Sequence, residues 1–171
     1  MAGEPSTQSG FTPSVYAILP ELIERSGRTA KGNITAVYTV LMEGERLEDD
    51  PIASEAKSLL DGHIVLSTKM VEKNHFPAID PLRSLSRVMT NVAPAPHIQA
   101  ARRARQWIAK YGKARDLIQL GAYAPGSDPE TDKAIVLFPH MQKFLMQGMQ
   151  EQAPFDASVS QLSDTVGEDT Q

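Results

Sequence analysis

The residues most able to do chemistry are few. The chain has four histidines, His63, His75, His97 and His140. None has a second imidazole one helical turn away or a carboxylate pair beside it. Their spacing offers no metal cage, packing is the expected role of each, and no residue is expected to ligate a metal. Cysteine is absent, which removes disulfides, thiolate zinc sites and a thiol nucleophile. No elbow motif marks a serine for nucleophilic attack. Gly27-Arg28-Thr29-Ala30-Lys31-Gly32 has the two glycines of a phosphate-binding loop, but Asn33-Ile34 follows where Lys-Ser/Thr is required. The frame also runs from helix to strand, the reverse of the order that turns a helix N-terminus toward phosphates. Arg102, Arg103, Arg105, Lys110, Lys113 and Arg115 form a basic face that is either solvated or able to take phosphates or an acidic partner. Arg83 and Arg87 stand in a Ser-rich segment, 80–89. They are either surface-loop residues or a guanidinium offered to a phosphate at a subunit boundary.

These groups must be positioned by three regions. The first extends to about residue 95. Thr12-Pro13 reads as a cap and first helical position for a helix over 14–25. Pro20 should bend or interrupt it. Residues 34–42 are apolar and β-branched nearly throughout, the pattern of a strand buried on both faces in a parallel sheet. A helix at 52–60, a strand at 63–67 and a helix at 67–74 complete an α/β rhythm. The hinge Ala93-Pro94-Ala95-Pro96 then opens a helical region, 96–147. There Ala100, Ala104, Trp107, Tyr111, Ala114 and Ile118 repeat at steps of four and three, one apolar stripe on a long helix. A loop at 121–128 leads to a helix over 129–146 that should break at Pro139. The last stretch, 148–171, has acidic residues and no Lys or Arg, and reads as a disordered acidic tail.

Composition sets the outer limits. An apolar fraction of 41% in 171 residues fills a core, while a net charge of −4 argues against a general nucleic-acid binder. No apolar run reaches the roughly 20 residues of a membrane span. Residues 1–10 lack the apolar centre of a secretory signal, so a cytoplasmic protein is expected.

Six segments in order resemble the type III secretion and flagellar export ATPases, relatives of the rotary ATP synthase α and β subunits. Gly10-Phe11-Thr12-Pro13-Ser14-Val15-Tyr16, continuing to Leu19-Pro20-Glu21-Leu22-Ile23-Glu24-Arg25, is similar to "GYPPSVF…LPKLLERAG". The others are Gly32-Asn33-Ile34-Thr35-Ala36-Val37-Tyr38-Thr39-Val40-Leu41, Leu60-Asp61-Gly62-His63-Ile64-Val65-Leu66-Ser67, Phe76-Pro77-Ala78-Ile79-Asp80, Ser84-Leu85-Ser86-Arg87-Val88-Met89, and Gly121-Ala122-Tyr123 with Gly126-Ser127-Asp128. Ala2-Gly3-Glu4-Pro5 resembles the family's "AAGEPP". Glu45-Arg46 and Thr68 depart from the usual pattern.

The resemblance implies the C-terminal portion of such an enzyme, expected as a fragment from a truncated gene or split frame. The implied fold is α/β then all-α. A partial RecA-like nucleotide-binding domain lacking its P-loop half (1–95) precedes a C-terminal helical domain (96–147) and the tail (148–171). ATP and Mg²⁺ would be held mainly by the absent N-terminal half, so the chain alone should be inactive. Arg87 is implied as the arginine finger reaching a neighbouring protomer's γ-phosphate. Phe76, and with a looser match Phe144 and Met149, are implied as adenine contacts. The implied partners are other protomers of a homo-hexamer, a central stalk protein facing the 121–132 loop, and export chaperones and substrates. Nucleic acid is not among them, and the location would be the cytoplasmic face of the inner membrane. Two alternatives remain: a non-enzymatic module that binds the full-length ATPase or export chaperones, and a Rho-like translocase, which the export-type motifs disfavour.

Overall fold

A computed structural model describes residues 12–42, 44 and 46–167. The leader reading of residues 1–10, the match at Ala2–Pro5 and the departure at Glu45 lie outside them. The chain forms two compact units, Met1–His63 and Ile64–Gln171.

In the first unit, helix α1 (Pro13–Glu24) starts with proline at its first position, where the missing N–H costs nothing. It continues through Pro20. Of the bend or interruption expected there, the interruption does not occur. Strands β1 (Gly27–Thr29) and β2 (Gly32–Ile34) follow as an antiparallel hairpin, Gly27 opposite Ile34 and Thr29 opposite Gly32. The glycine frame is therefore a hairpin turn. Gly32 has φ 154, a conformation side chains disfavour. Helix α2 (Pro51–Leu59) is capped by Asp50, which accepts from the Ala53 N–H at 2.9 Å. It buries Ala53 and Ala56 and contacts α1.

The long strand expected at 34–42 is not formed. Past Ile34 the backbone has no regular partner, and Val37 and Leu41 are each 92% exposed. A strand apolar on both faces needs a neighbour on each edge, and none pairs with it among the described residues.

The second unit holds α3 (Thr68–Glu72), α4 (Met89–Val92) and three longer helices, α5 (Ala95–Gln119), α6 (Pro129–Leu145) and α7 (Phe155–Val166). The strand expected at 63–67 is reduced to Gly62–His63 (β3) and an antiparallel bridge between Leu66 and Ile79. A further short strand, β4, is Leu85–Ser86. The stripe on α5 faces inward as its spacing requires. Ala100, Trp107 and Ala114 are buried. Trp107 joins Ala134 and Met141 of α6, with Ala104, Ile108, Tyr111, Leu137 and Phe138 around them. Tyr111 and Phe138 stack with centroids 3.8 Å apart. Helix α6 runs unbroken through Pro139, since its buried face against α5 outweighs one lost backbone hydrogen bond.

Of the stretch 148–171 that composition suggested to be a disordered tail, residues 155–166 form a helix. This helix, α7, packs on both α5 and α6. Its stripe, Phe155, Val159, Leu162 and Val166, follows helical spacing, and Val166 is fully buried. Gly167, at φ 70, ends it. No described helix is long and apolar enough to cross a membrane.

The start of α6 is tied to α5 by charge. Asp128 caps it, accepting from the Glu130 N–H at 3.1 Å and the Thr131 hydroxyl at 2.7 Å. Lys110 of α5 reaches both Asp128 and Glu130 at 2.9 Å. These hydrogen bonds, Lys110 first and Thr131 second, hold the Asp128 carboxyl at about 2, below its ordinary 3.8. Lys110 is raised, chiefly by Asp128 and then Glu130. A depressed carboxyl stabilises the fold above its unfolded value and loses that effect as pH falls through the folded one. Between pH 4 and 2 the unfolding temperature should therefore drop, and Asp128→Asn should make the drop shallower in scanning calorimetry. In urea titrations Met141→Ala, at a residue 1% exposed, should cost about 2–5 kcal/mol. Val37→Ser should stay within about 0.5 kcal/mol.

Candidate functional site

The site is built on the turn that follows α3. Asn74, at φ 53, reverses the chain, and the His75 N–H returns to the Met70 carbonyl at 2.9 Å. His75 is buried to 6% exposure. Burial first, and the nearby Lys73 charge second, push its imidazole below the usual histidine range. It serves as a neutral packing group. Residues 76–80 then run antiparallel to 65–67, with the Ser67 N–H donating to the Ala78 carbonyl and the Asp80 N–H to the Val65 carbonyl, each at 2.8 Å.

This ladder places Phe76 beside the end of α6. The Gln147 N–H donates to the Phe76 carbonyl at 2.8 Å, so the exit of α6 and the start of the Phe76 segment are joined. The chain beyond is folded by Glu151, whose carboxylate accepts from the Gly148 N–H at 2.9 Å and whose carbonyl accepts from the Gln147 side chain at 2.8 Å. An open cavity of about 750 Å³ results, lined by Phe76, Phe144, Asn74, Gln142, Lys143 and Gln161 among others. The volume is within the range of small-molecule sites. Phe76 is 47% exposed, so a ring face is available for stacking. The side-chain amides add donors and acceptors around it.

Two of the four residues singled out from sequence, Phe76 and Phe144, thus line one cavity. Met149 does not line it and is 97% exposed. The looser sequence match at Met149 falls in a turn past α6. Arg87 lies elsewhere, exposed in the turn between β4 and α4. The polar residues Asn74, Gln142 and Gln161 went unnoticed in the sequence. Gln142 sits two positions before Phe144 on α6, a spacing that does not mark a shared helix face; Gln161 was hidden by reading 148–171 as a tail.

The lining combines two aromatic rings with side-chain amides and the charged Lys143 and Glu151. Among the described residues no three His, Asp or Glu side chains gather to hold a cation, and the glycine frame is a hairpin.

Residues 1–86 match the ATP synthase alpha/beta family, nucleotide-binding domain, and residues 93–164 match the T3SS EscN ATPase C-terminal domain. The flagellum-specific ATP synthase of Bacillus subtilis is 45% identical over 166 residues, which are 97% of this chain and 38% of that protein. The assembled ATPase EscN from the enteropathogenic E. coli type III secretion system superposes with a TM-score of 0.93 at 44% identity, covering 97% of this chain and 40% of that one. EscN in complex with its central stalk EscO gives 0.85 at 43% identity, over 97% and 39%. The chain therefore spans about two fifths of the length of these relatives. With a nucleotide-binding domain match over its first half and an export-ATPase C-terminal domain match over its second, the chain belongs to the ATP synthase alpha/beta family, among the type III secretion and flagellar export ATPases.

Proposed function

We propose that residues 1–171 work as the C-terminal portion of an ATP-hydrolysing motor for type III protein export, with residues 1–95 as the partial RecA-like part and 96–147 as the helical domain. The observation that carries this reading is the cavity shared by Phe76 and Phe144. Two aromatics from distant parts of the chain, with amides between them, suit an adenine ring, which stacks without demanding a single hydrogen-bond pattern.

Arg87 would act at a different nucleotide, the one held by the neighbouring protomer of a hexamer. Its exposed position in a short turn supports that role. A guanidinium keeps its charge and presents a planar fork to phosphate oxygens, so it stabilises the charge that builds on the γ-phosphate as the bond to the leaving oxygen lengthens. ATP and Mg²⁺ would be held mainly by P-loop and acidic residues outside 1–171.

The loop between α5 and α6 would face a central stalk. It is a firm surface: the Tyr123 hydroxyl donates to Asp132 at 2.9 Å, and the Gly126 N–H donates to the other Asp132 oxygen at 2.8 Å. Leu120 beside it is exposed. The complex of EscN with EscO supports a stalk as partner. Export chaperones and substrates, and a position at the cytoplasmic face of the inner membrane, complete the proposal.

Activity assays test it. The 171-residue chain alone should show no Mg²⁺-dependent ATP turnover, and turnover that survives removal of contaminating ATPases would overturn this. In a full-length ATPase carrying the segment, Arg87→Ala should lower kcat by roughly 10³-fold or more with nucleotide binding nearly intact, and Arg87→Lys should rescue poorly. Phe76→Ala should instead weaken nucleotide binding by about 1–3 kcal/mol in a fluorescent-nucleotide titration. Near-normal turnover in Arg87→Ala hexamers would make Arg87 structural.

A further inference from the structure

The turn leading into Arg87 is gripped from α5. Arg105, half-buried on that helix, donates through Nη1 to the carbonyls of Pro81 and Ser84 and through Nη2 to that of Leu82, the last two at 2.8 and 2.9 Å. Three donor–acceptor contacts from one planar group define the turn's position and its tilt. The same turn is fixed internally. The Asp80 carboxylate accepts from the Leu82 and Arg83 N–H groups at 2.9 and 3.2 Å. The Ser84 hydroxyl donates to the Asp80 carbonyl at 2.7 Å and accepts from the Val65 N–H at 3.0 Å. Only β4, Leu85–Ser86, separates this clamped turn from Arg87.

We infer that Arg105 is a positioning residue for Arg87. Its guanidinium spends its donors on backbone carbonyls within residues 81–84, and sets where the following strand and Arg87 emerge. The inference rests on the reading of Arg87 as the group that reaches a neighbour's phosphate. Because a misplacement of about 1 Å costs on the order of 10²-fold in rate, a turn held at three points is what such a group requires. A lysine at 105 would keep the charge but could not fork to three carbonyls.

Two measurements test this separately from the Arg87 reading. In the 171-residue chain, hydrogen exchange should show faster exchange at the amides of Leu82, Arg83 and Ser84 in Arg105→Ala, with the amides of α5 unchanged. Unchanged protection in 82–84 overturns the clamp. In a full-length ATPase carrying the segment, Arg105→Ala should lower kcat by about ten- to a hundredfold while KM for ATP stays within twofold. Arg105→Lys should fall between that variant and the parent, and the exposed Arg102→Ala should match the parent. If Arg105→Ala does not fold, Arg105→Lys alone carries the test through its lowered kcat at constant KM. Parent-like kcat in the folded Arg105 variants, or kcat and KM changing together, overturns the inference while a dead Arg87→Ala upholds the arginine reading. A near-normal Arg87→Ala overturns that reading and this inference with it.

Discussion

Helix α5 is the element on which the second unit is built, and its requirement to bury one face determines most of what surrounds it. An isolated helix of 25 residues gains most of its stability from tertiary packing. Here the stripe through Ala100, Trp107 and Ala114 is covered by α6 and α7. The remaining circumference is not idle. Arg103 donates to the Gly167 carbonyl at 2.9 Å, closing the end of α7. Arg105 holds residues 81–84, and Lys110 holds the start of α6. Hydrogen bonds with a charged donor are stronger than neutral ones, so three cations spaced over about two turns fix three separate segments to one rod.

The first unit has no comparable organiser. Its most apolar stretch, 34–42, has nothing to pair with among the described residues and leaves Val37 and Leu41 in solvent. The composition of that run is suited to the middle of a sheet. The contrast between the units follows from where the contacts are: the helical unit satisfies its apolar faces with its own elements, and the strand-forming segment calls for edges that the described residues do not provide.

Elements whose signal is local were legible in the sequence. The stripe on α5, the proline start of α1 and the change from loop to helix at 128–129 all depend on residues within one or two turns. Phe76, Phe144 and Arg87 came from motif resemblance, and the meeting of the first two in one cavity could not be read from spacing because it depends on how the end of α6 returns to the turn after α3. Errors had definite causes. Pro20 and Pro139 were weighted as breakers, although a proline forfeits one hydrogen bond and flanking turns or a buried face can outlast that loss. Helix α7 was missed because an acidic, base-free composition masked the four-three-four spacing of Phe155, Val159, Leu162 and Val166. The basic face of α5 was read as facing outward, to solvent or to a ligand, and four of its six cations, Arg103, Arg105, Lys110 and Arg115, instead bind within the chain. Carbonyl acceptors carry no residue signature, so Arg105 gave no sign of its targets.

That last property has an evolutionary side. A salt bridge can be lost by a change at either end, whereas a guanidinium bound to main-chain oxygens exposes only one end to mutation. Pro81, Leu82 and Ser84 offer the same three carbonyls whatever their side chains, as Gly167 does to Arg103. As acceptors toward Arg105 the turn's residues are thus free to drift in side-chain chemistry, while the constraint on its backbone path falls on a few side chains, Arg105 from outside and Asp80 and Ser84 from within.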